Sequence, residues 1–258
     1  MQVLDVHRYR LRIRNWHMIL QSIFRTGLAY NPIAMMPKEA PMRISLRRLS
    51  IVILLWTLCL ICLAPAQDLQ PVQLPKPQTD GGKPLMQVLK ERKSTREFSS
   101  RELPDQILSN LLWAAFGINR PDGRRTAPSA MNRQEIDVYV VTAKAVWLYD
   151  AKGEMLKPVA AGDLRALAGT QEWVKEAPLN LVYIADTAKM GGGDEESKAL
   201  YSGADTGFIS QNVYLYCASE GLATVVRASV DKPALSKALG LRPEQKIILA
   251  QTVGYPKD

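Results

Sequence analysis

Arg92-Lys93-Ser94-Thr95-Arg96 places three cations and two hydroxyls in five consecutive residues. Some thirty positions later, Ala127-Pro128-Ser129-Ala130-Met131-Asn132-Arg133-Gln134 forms a polar stretch of small and amide side chains ahead of an apolar run. Guanidinium and ammonium groups beside hydroxyls suit a phosphate, because each N–H gives a charge-assisted hydrogen bond to a phosphate oxygen. The amides and carbonyls of Ser129 to Asn132 and of Gln134 suit the edge of a flat, hydrogen-bonding ring. Together the two stretches point to a phosphorylated aromatic cofactor. Each also has a plainer reading. Cations at a helix end offset its macrodipole whatever the protein does, and Pro-Ser-Ala-Met-Asn is ordinary turn chemistry.

Other candidates carry less. Gly191-Gly192-Gly193 lacks the Gly-Lys-Ser/Thr that a phosphate loop requires, and reads as a turn. Cys217 sits among Leu215 and Ala218 and reads as a small core residue. Glu220 directly precedes Gly221 and reads as an exposed helix end rather than a catalytic acid. Arg124 and Arg125 read as solvated loop cations. Trp113 and Trp173 read as core or interface, with stacking on a ring as the alternative.

The elements that must position these residues follow from periodicity. Leu85, Val88 and Leu89 predict a helix over 84–93 that ends at the cation cluster, and Ile107, Leu108, Leu111, Leu112 and Ala115 predict a second one stopped by Gly117. Alternation predicts strands at 136–142 and 145–149, with a turn at 150–153. Short helices are expected within 162–169 and over 172–176, and a continuous apolar strand over 179–185. A flexible excursion is expected over 190–196. The longest helix is expected over 200–220, with Ala204, Gly207, Phe208, Gln211, Leu215 and Ala218 on its small or apolar side and Gly221 as cap. An extended segment at 223–226, a helix at 233–239 and a strand at 247–253 complete the chain. Helices and strands mix without regular alternation, which predicts an α+β domain with a largely antiparallel sheet.

The ends of the chain change the charge argument. Arg43, Arg47 and Arg48 precede an apolar-rich run from Leu49 to Leu63 and then Ala64-Pro65-Ala66, the three-part pattern of a secretory signal. That run is shorter than the ~20 residues that span a bilayer comfortably. We therefore expect 1–41 to be an extension ahead of a start at Met42 or nearby Met36, 42–66 a signal peptide, 67–83 a linker, and 84–258 the functional domain. The expected location is exported, periplasmic or secreted, with anchoring by an uncleaved signal as the alternative and no other membrane contact. Residues 1–66 hold nine Lys/Arg against two Asp/Glu, while the rest holds 24 against 23. The net +8 thus belongs to the leader, and a nucleic-acid partner is excluded as a reading of charge. Both histidines, His7 and His17, are also in the leader. The remaining 192 residues cannot build a Ser-His-Asp triad, a Cys-His pair or a His-based metal site.

Order sharpens the picture. Arg92-Lys93-Ser94-Thr95-Arg96, then Leu111-Leu112-Trp113-Ala114-Ala115, then Ala127 to Gln134, then Gly221-Leu222-Ala223-Thr224, and finally Leu239-Gly240-Leu241 with Val253-Gly254-Tyr255-Pro256 stand in sequence. This series resembles the nitroreductase family of FMN enzymes over about Leu89 to Lys257. The resemblance implies a homodimer with FMN at the interface. Arg92, Lys93, Ser94 and Arg96 would bind the phosphate and ribityl chain, with Arg92 also near the ring's N1/O2 edge. Pro128, Ser129, Ala130, Asn132 and Gln134 would reach the ring from the other subunit. Val226, Arg227 and Ala228 would lie where a backbone amide meets N5, and Lys257 would add a phosphate contact. It implies ping-pong hydride transfer from NAD(P)H to a small nitroaromatic or quinone-like acceptor, with no catalytic side chain beyond an electrostatic role for Arg92, and no metal.

Two departures bear on the substrate. The 117–126 loop is longer than in the simplest members and resembles azoline-forming dehydrogenases of the SagB type, although that branch carries Gly where Met131 stands. Residues 189–198 replace a helical lid. The alternatives are therefore a flavin dehydrogenase acting on a peptide-derived or other heterocycle, and an exported, non-catalytic ligand-binding module that kept the fold.

Overall fold

The computed structural model describes residues 69–257. The extension at 1–41 and the signal segment at 42–66 lie outside them. The described residues build one seven-stranded sheet in which every pairing is antiparallel, with strand order β1-β4-β3-β2-β5-β7-β6. The strands are β1 (Val72–Gln73), β2 (Ile136–Thr142), β3 (Ala145–Asp150), β4 (Met155–Ala161), β5 (Leu179–Asp186), β6 (Ala223–Arg227) and β7 (Gln245–Gly254). The helices are α1 (Leu85–Glu91), α2 (Asp105–Phe116), α3 (Glu172–Glu176), α4 (Glu195–Glu220) and α5 (Lys232–Ala238).

Central strand β5 is buried along its whole length because helices cover both faces of the sheet. Successive side chains point to opposite faces. Leu181 and Tyr183 therefore meet Leu111 and Leu112 of α2 and Ile209, Val213 and Cys217 of α4 on one face. Val182 and Ile184 meet Val174 of α3 and Leu235 of α5 on the other. Leu111 and Leu112 have no solvent exposure, so truncating either to Ala would cost about 2–5 kcal/mol. The expected α+β class and antiparallel sheet are both present.

The long helix α4 differs from expectation in two ways. It starts at Glu195, five residues before the predicted Leu200, because Asp194 caps it by accepting the Ser197 N–H at 2.7 Å. The excursion thus shrinks to a 3₁₀ turn at Thr187–Met190 and the three glycines. Its buried face is also different. The buried side chains are Ser202, Asp205, Thr206, Ile209, Ser210, Val213, Tyr214 and Cys217, whereas Ala204, Gly207, Phe208 and Gln211 face outward. Polar residues at core positions hid the inner stripe from a search for apolar periodicity. Helix α1 shows the same pattern: only Val88 is buried, and Leu85 and Leu89 are exposed.

The segment expected as a linker is docked on the domain from residue 72 onward. β1 pairs with β4, Leu74 is buried, Ser109 Oγ donates to the Pro75 carbonyl at 2.5 Å, and the Gln78 N–H donates to Asn110 at 2.8 Å. Pro- and Gln-rich composition removes regular structure but leaves carbonyls and amides for side chains of α2 to bind.

Candidate functional site

The cation cluster leaves α1 as an extended strand running beside β6. The Thr95 N–H donates to the Thr224 carbonyl at 2.9 Å, which fixes the direction of the segment. Tyr214 of α4 fixes its side chains. The Tyr214 hydroxyl lies 2.8 Å from Ser94 Oγ and accepts the Val226 N–H at 3.0 Å, so one oxygen ties the cluster to β6. The Arg92 guanidinium sits 5.2 Å from the centre of the same ring, within cation–π range. Among the described residues, Arg92, Lys93 and Arg96 pair with no carboxylate, whereas nearby Lys83 is held by Glu91 at 2.7 Å. A cavity of about 490 Å³ opens here, lined by Lys93, Thr95, Tyr214, Gly221, Thr224 and Pro256 among others. Lys93 is the cluster cation that lines this cavity, with Lys83 and Glu91 beside it, and cations without acidic partners next to an exposed serine hydroxyl could hold a phosphate.

The second stretch folds as a strained, internally braced loop. Met131, Asn132 and Gln134 adopt left-handed conformations with φ of 55°, 54° and 50°. Such conformations cost non-glycine residues roughly 1–3 kcal/mol each and persist only where the surroundings impose them. The bracing is on the page. Ser129 Oγ accepts the Gln134 N–H at 2.9 Å, and the Asp205 carboxylate on α4 accepts the Ala130 N–H at 3.0 Å. Gln134 Oε1 accepts from Arg125 Nε at 2.8 Å, and Gln134 Nε2 donates to Asn132 Oδ1 at 3.0 Å and to the Gly123 carbonyl at 3.1 Å. The Gln134 amide is therefore fully engaged inside the chain, so it positions the loop rather than offering a free contact. Pro128, Met131 and Asn132 remain exposed.

Arg125 departs from its reading as a solvated cation. It is half-buried, donates to the Phe116 carbonyl at 2.8 Å, lies 4.4 Å over the Phe116 ring, and burial pulls its pKa down. Arg124 does match, as an exposed residue paired with Asp122 at 2.7 Å.

The two stretches flank one helix without meeting. They attach to Asp205 and Tyr214, nine residues apart on α4, which is roughly 13 Å along the axis at 1.5 Å per residue.

The β6 residues divide. The Val226 N–H is already taken by Tyr214. Arg227 turns its side chain into the protein, where it donates to Thr252 Oγ1 and the Ala168 carbonyl at 2.7 Å each and to Asn180 Oδ1 at 3.0 Å, and stacks over Trp173. Burial with no acidic partner pulls its pKa down to about 10. Arg227 can therefore contribute only main chain to a ligand. Lys257 follows Pro256 but lies in an adjacent groove with Ser99, Arg165 and Lys175. Cys217 is fully buried and burial pushes its thiol far up, so it is a core residue as read. Trp113 donates to the Ile118 carbonyl at 3.2 Å, and Trp173 packs on Phe98. Neither faces the cavity.

Sequence reasoning missed Tyr214, Asp205, Arg125 and Glu135. The first two sit on the inner stripe of α4, where the four-residue spacing of Asp205 from Ile209 and the three-residue spacing of Tyr214 from Cys217 were the available signal. Glu135 is a carboxylic acid with no solvent exposure, next to Asp205, and burial with that neighbour pushes its pKa up to about 7.

Comparison with known proteins agrees with this architecture. A sequence model described as the Nitroreductase family matches residues 89–255. A crystal structure from Ralstonia eutropha, named as a nitroreductase, is 40% identical with a TM-score of 0.71, covering 75% of this chain and 92% of that one. A Methanocaldococcus jannaschii protein named as a nitroreductase is 28% identical over 151 residues, covering 55% of this chain and 76% of its own length. The NADPH:FMN oxidoreductase of Vibrio harveyi, solved with NAD+, shares the fold at 20% identity with a TM-score of 0.52, covering 67% of this chain and 69% of that one.

Proposed function

The chain belongs to the Nitroreductase family and is an oxidoreductase, and from that premise we propose that it is an FMN-dependent enzyme using NAD(P)H to reduce a small nitroaromatic or quinone-like acceptor. The observation that carries the reading is the set of unpaired cations around Ser94, held in place by Tyr214. FMN, when bound, would supply the two-electron redox chemistry between nicotinamide and acceptor.

The chain's own residues bind and orient. Lys93, Ser94 and Arg96 hold the phosphate and ribityl chain by charge-assisted hydrogen bonds. Arg92 places a fixed positive charge near the pyrimidine edge of the ring, where negative charge develops on reduction. Pro128, Ser129, Ala130 and Asn132 present a rigid edge to the ring of the partner subunit. The Ala228 amide, just beyond β6, would be the donor to the ring, with the buried Arg227 side chain as its anchor. No imidazole is present beyond residue 17, so protons come from solvent.

A homodimer completes each site. Leu200, Tyr201 and Phe208 of α4 are 68%, 46% and 49% exposed, and Leu85, Met86 and Leu89 of α1 are exposed as well. Exposed large apolar side chains in such number favour association. A second copy seated there supplies the other half-site that the 13 Å separation along α4 leaves out. Export through the 42–66 segment remains part of the proposal. Mass spectrometry of the natural N-terminus is expected to find Gln67, and peptides covering Arg8 to Arg25 would contradict it.

Anaerobic mixing tests the donor. NADH or NADPH is expected to bleach the yellow protein rapidly, and one added acceptor should restore the colour. A flavin that neither nucleotide bleaches would reject the reductase reading in favour of a dehydrogenase with another donor.

A further inference from the structure

Beneath the Ser129–Gln134 loop lies a group that the proposed reaction does not use. Glu135, the residue that follows the loop, has no solvent exposure, and neither of its carboxyl oxygens finds a hydrogen-bond donor. A buried carboxylate without donors is among the costliest arrangements in a protein. Its neighbour is a second buried acid, Asp205, only 3% exposed, whose Oδ2 accepts the Ala130 N–H at 3.0 Å. Two carboxylates cannot donate to each other, but a carboxylic acid and a carboxylate can. A single proton on Glu135 satisfies one orphaned oxygen, removes the like-charge repulsion and leaves Asp205 Oδ2 as the acceptor of the Ala130 amide.

The other charged groups around the pair are already committed. Lys189, on the 3₁₀ turn after β5, is the cation that acts on Glu135, yet its ammonium is held by Asp137 of β2 at 2.7 Å. Asp186 at the end of β5 donates its backbone N–H to the Glu135 carbonyl, and its carboxylate is held by Arg242 at 2.6 Å. Among the described residues no cation lies within ion-pair distance of either carboxyl group, and Arg133 of the loop, which meets Met131 Sδ at 3.2 Å, has no acidic partner.

We propose that Glu135 and Asp205 share one proton, and that this proton locks the Ser129–Gln134 loop in the conformation that receives the flavin. The proposal rests on reading that loop as part of the FMN site. Loss of the proton places two charges side by side under the loop, and the Asp205 hold on Ala130 gives way. The left-handed residues Met131 and Asn132 then lose the brace that pays for their strain. Glu135 and Asp205 are positioning residues, since neither reaches the ligand.

The sign of the pH effect follows from linkage. Glu135 titrates near pH 7 in the folded chain and near its ordinary value of 4.5 when unfolded. The folded state thus holds the extra proton between these values. Stability from this pair is greatest below about pH 4.5, declines as pH rises to about 7, and is level above that.

Two measurements on the full chain test the proposal. In the first, FMN is stripped and its dissociation constant is followed from pH 5.5 to 9 by quenching of flavin fluorescence. The wild type is expected to lose about tenfold in affinity between pH 6 and 8. Glu135→Gln, whose amide donates permanently to Asp205, is expected to show no such loss. Titration of the phosphate itself is common to both proteins and cancels in the comparison. In the second, Tm without FMN is measured over the same range, and the gap between Glu135→Gln and wild type should widen up to about pH 7 and then hold. Should Glu135→Gln not fold, Asp205→Asn keeps an acceptor for Ala130 and a donor for Glu135, and is expected to flatten both profiles. A wild-type profile without inflection, or one that persists in the variants, overturns the shared proton. Absence of FMN binding at every pH rejects the flavin reading instead, and the Tm comparison still decides the proton.

Discussion

Tyr214→Phe removes one oxygen and leaves the ring under Arg92 in place, which makes it a clean probe of how the phosphate half-site is built. The lost oxygen served two partners. Ser94 is exposed, so water replaces that contact at little cost. The Val226 N–H is part-buried on β6, and its only hydrogen bond to a side chain goes to Tyr214 at 3.0 Å. Leaving such a donor unpaired costs about 1–3 kcal/mol. Taking about 2 kcal/mol, Tm should fall by about 4–8 °C for a domain of this size. Urea unfolding checks this most directly, with a lower midpoint and an unchanged slope. Ser94→Ala is the companion: stability should change by less than about 0.5 kcal/mol, while FMN affinity falls by about ten- to a hundredfold through loss of a hydrogen bond to a charged group. Tyr214→Phe with wild-type stability would refute the claim that this hydroxyl fastens the cluster to β6.

Gly169→Ala puts a Cβ 2.5 Å from Arg227 Nε and 2.8 Å from Val174 Cγ2, in a place where neither can retreat, and should cost about 1–3 kcal/mol in denaturant unfolding. Wild-type stability would show that Arg227 is not fixed as described. Phe208→Asp combined with Leu200→Asp should shift sedimentation from dimer to monomer and release the flavin. A wild type that sediments as a monomer at micromolar concentration would remove the dimer from the account. FMN affinity of the wild type should drop with added salt, and triple replacement of Arg92, Lys93 and Arg96 by Met should abolish most of that dependence. Equal salt sensitivity in the triple variant would place the phosphate elsewhere.

The elements were legible where one physical signal dominated. Strand β2 matches its predicted span at Ile136–Thr142, although Val138 to Val141 are all buried rather than alternating, and α3 matches its predicted span at Glu172–Glu176. Legibility failed where tertiary contacts overrode a local pattern. The outward face of α4 carries Phe208 and small residues, so it looked like a core face. Its true inner stripe carries Asp205, Thr206 and Ser210, and Asp205 serves a partner far off in sequence, the Ala130 N–H. Composition marked 67–83 as a linker, yet α2 supplies Ser109 and Asn110 to bind its backbone. Within the candidate site, the cation cluster and the loop were both visible as residue types. What held them was not, because Tyr214 and Asp205 act across 120 and 75 residues of sequence. Arg227 shows the same limit: its acceptors come from three separate segments, and nothing beside it in sequence says that its side chain is buried.

The central claim is that a flavin phosphate is gripped at Arg92, Lys93, Ser94 and Arg96. One absorbance scan of the purified protein tests it most directly, read beside the same scan of the Arg92, Lys93 and Arg96 triple variant. The account predicts near-ultraviolet and blue flavin bands at one FMN per chain in the wild type and their loss in a folded triple variant. A folded wild type that is colourless and takes up no added FMN, or a triple variant that stays as yellow as its parent, would contradict it.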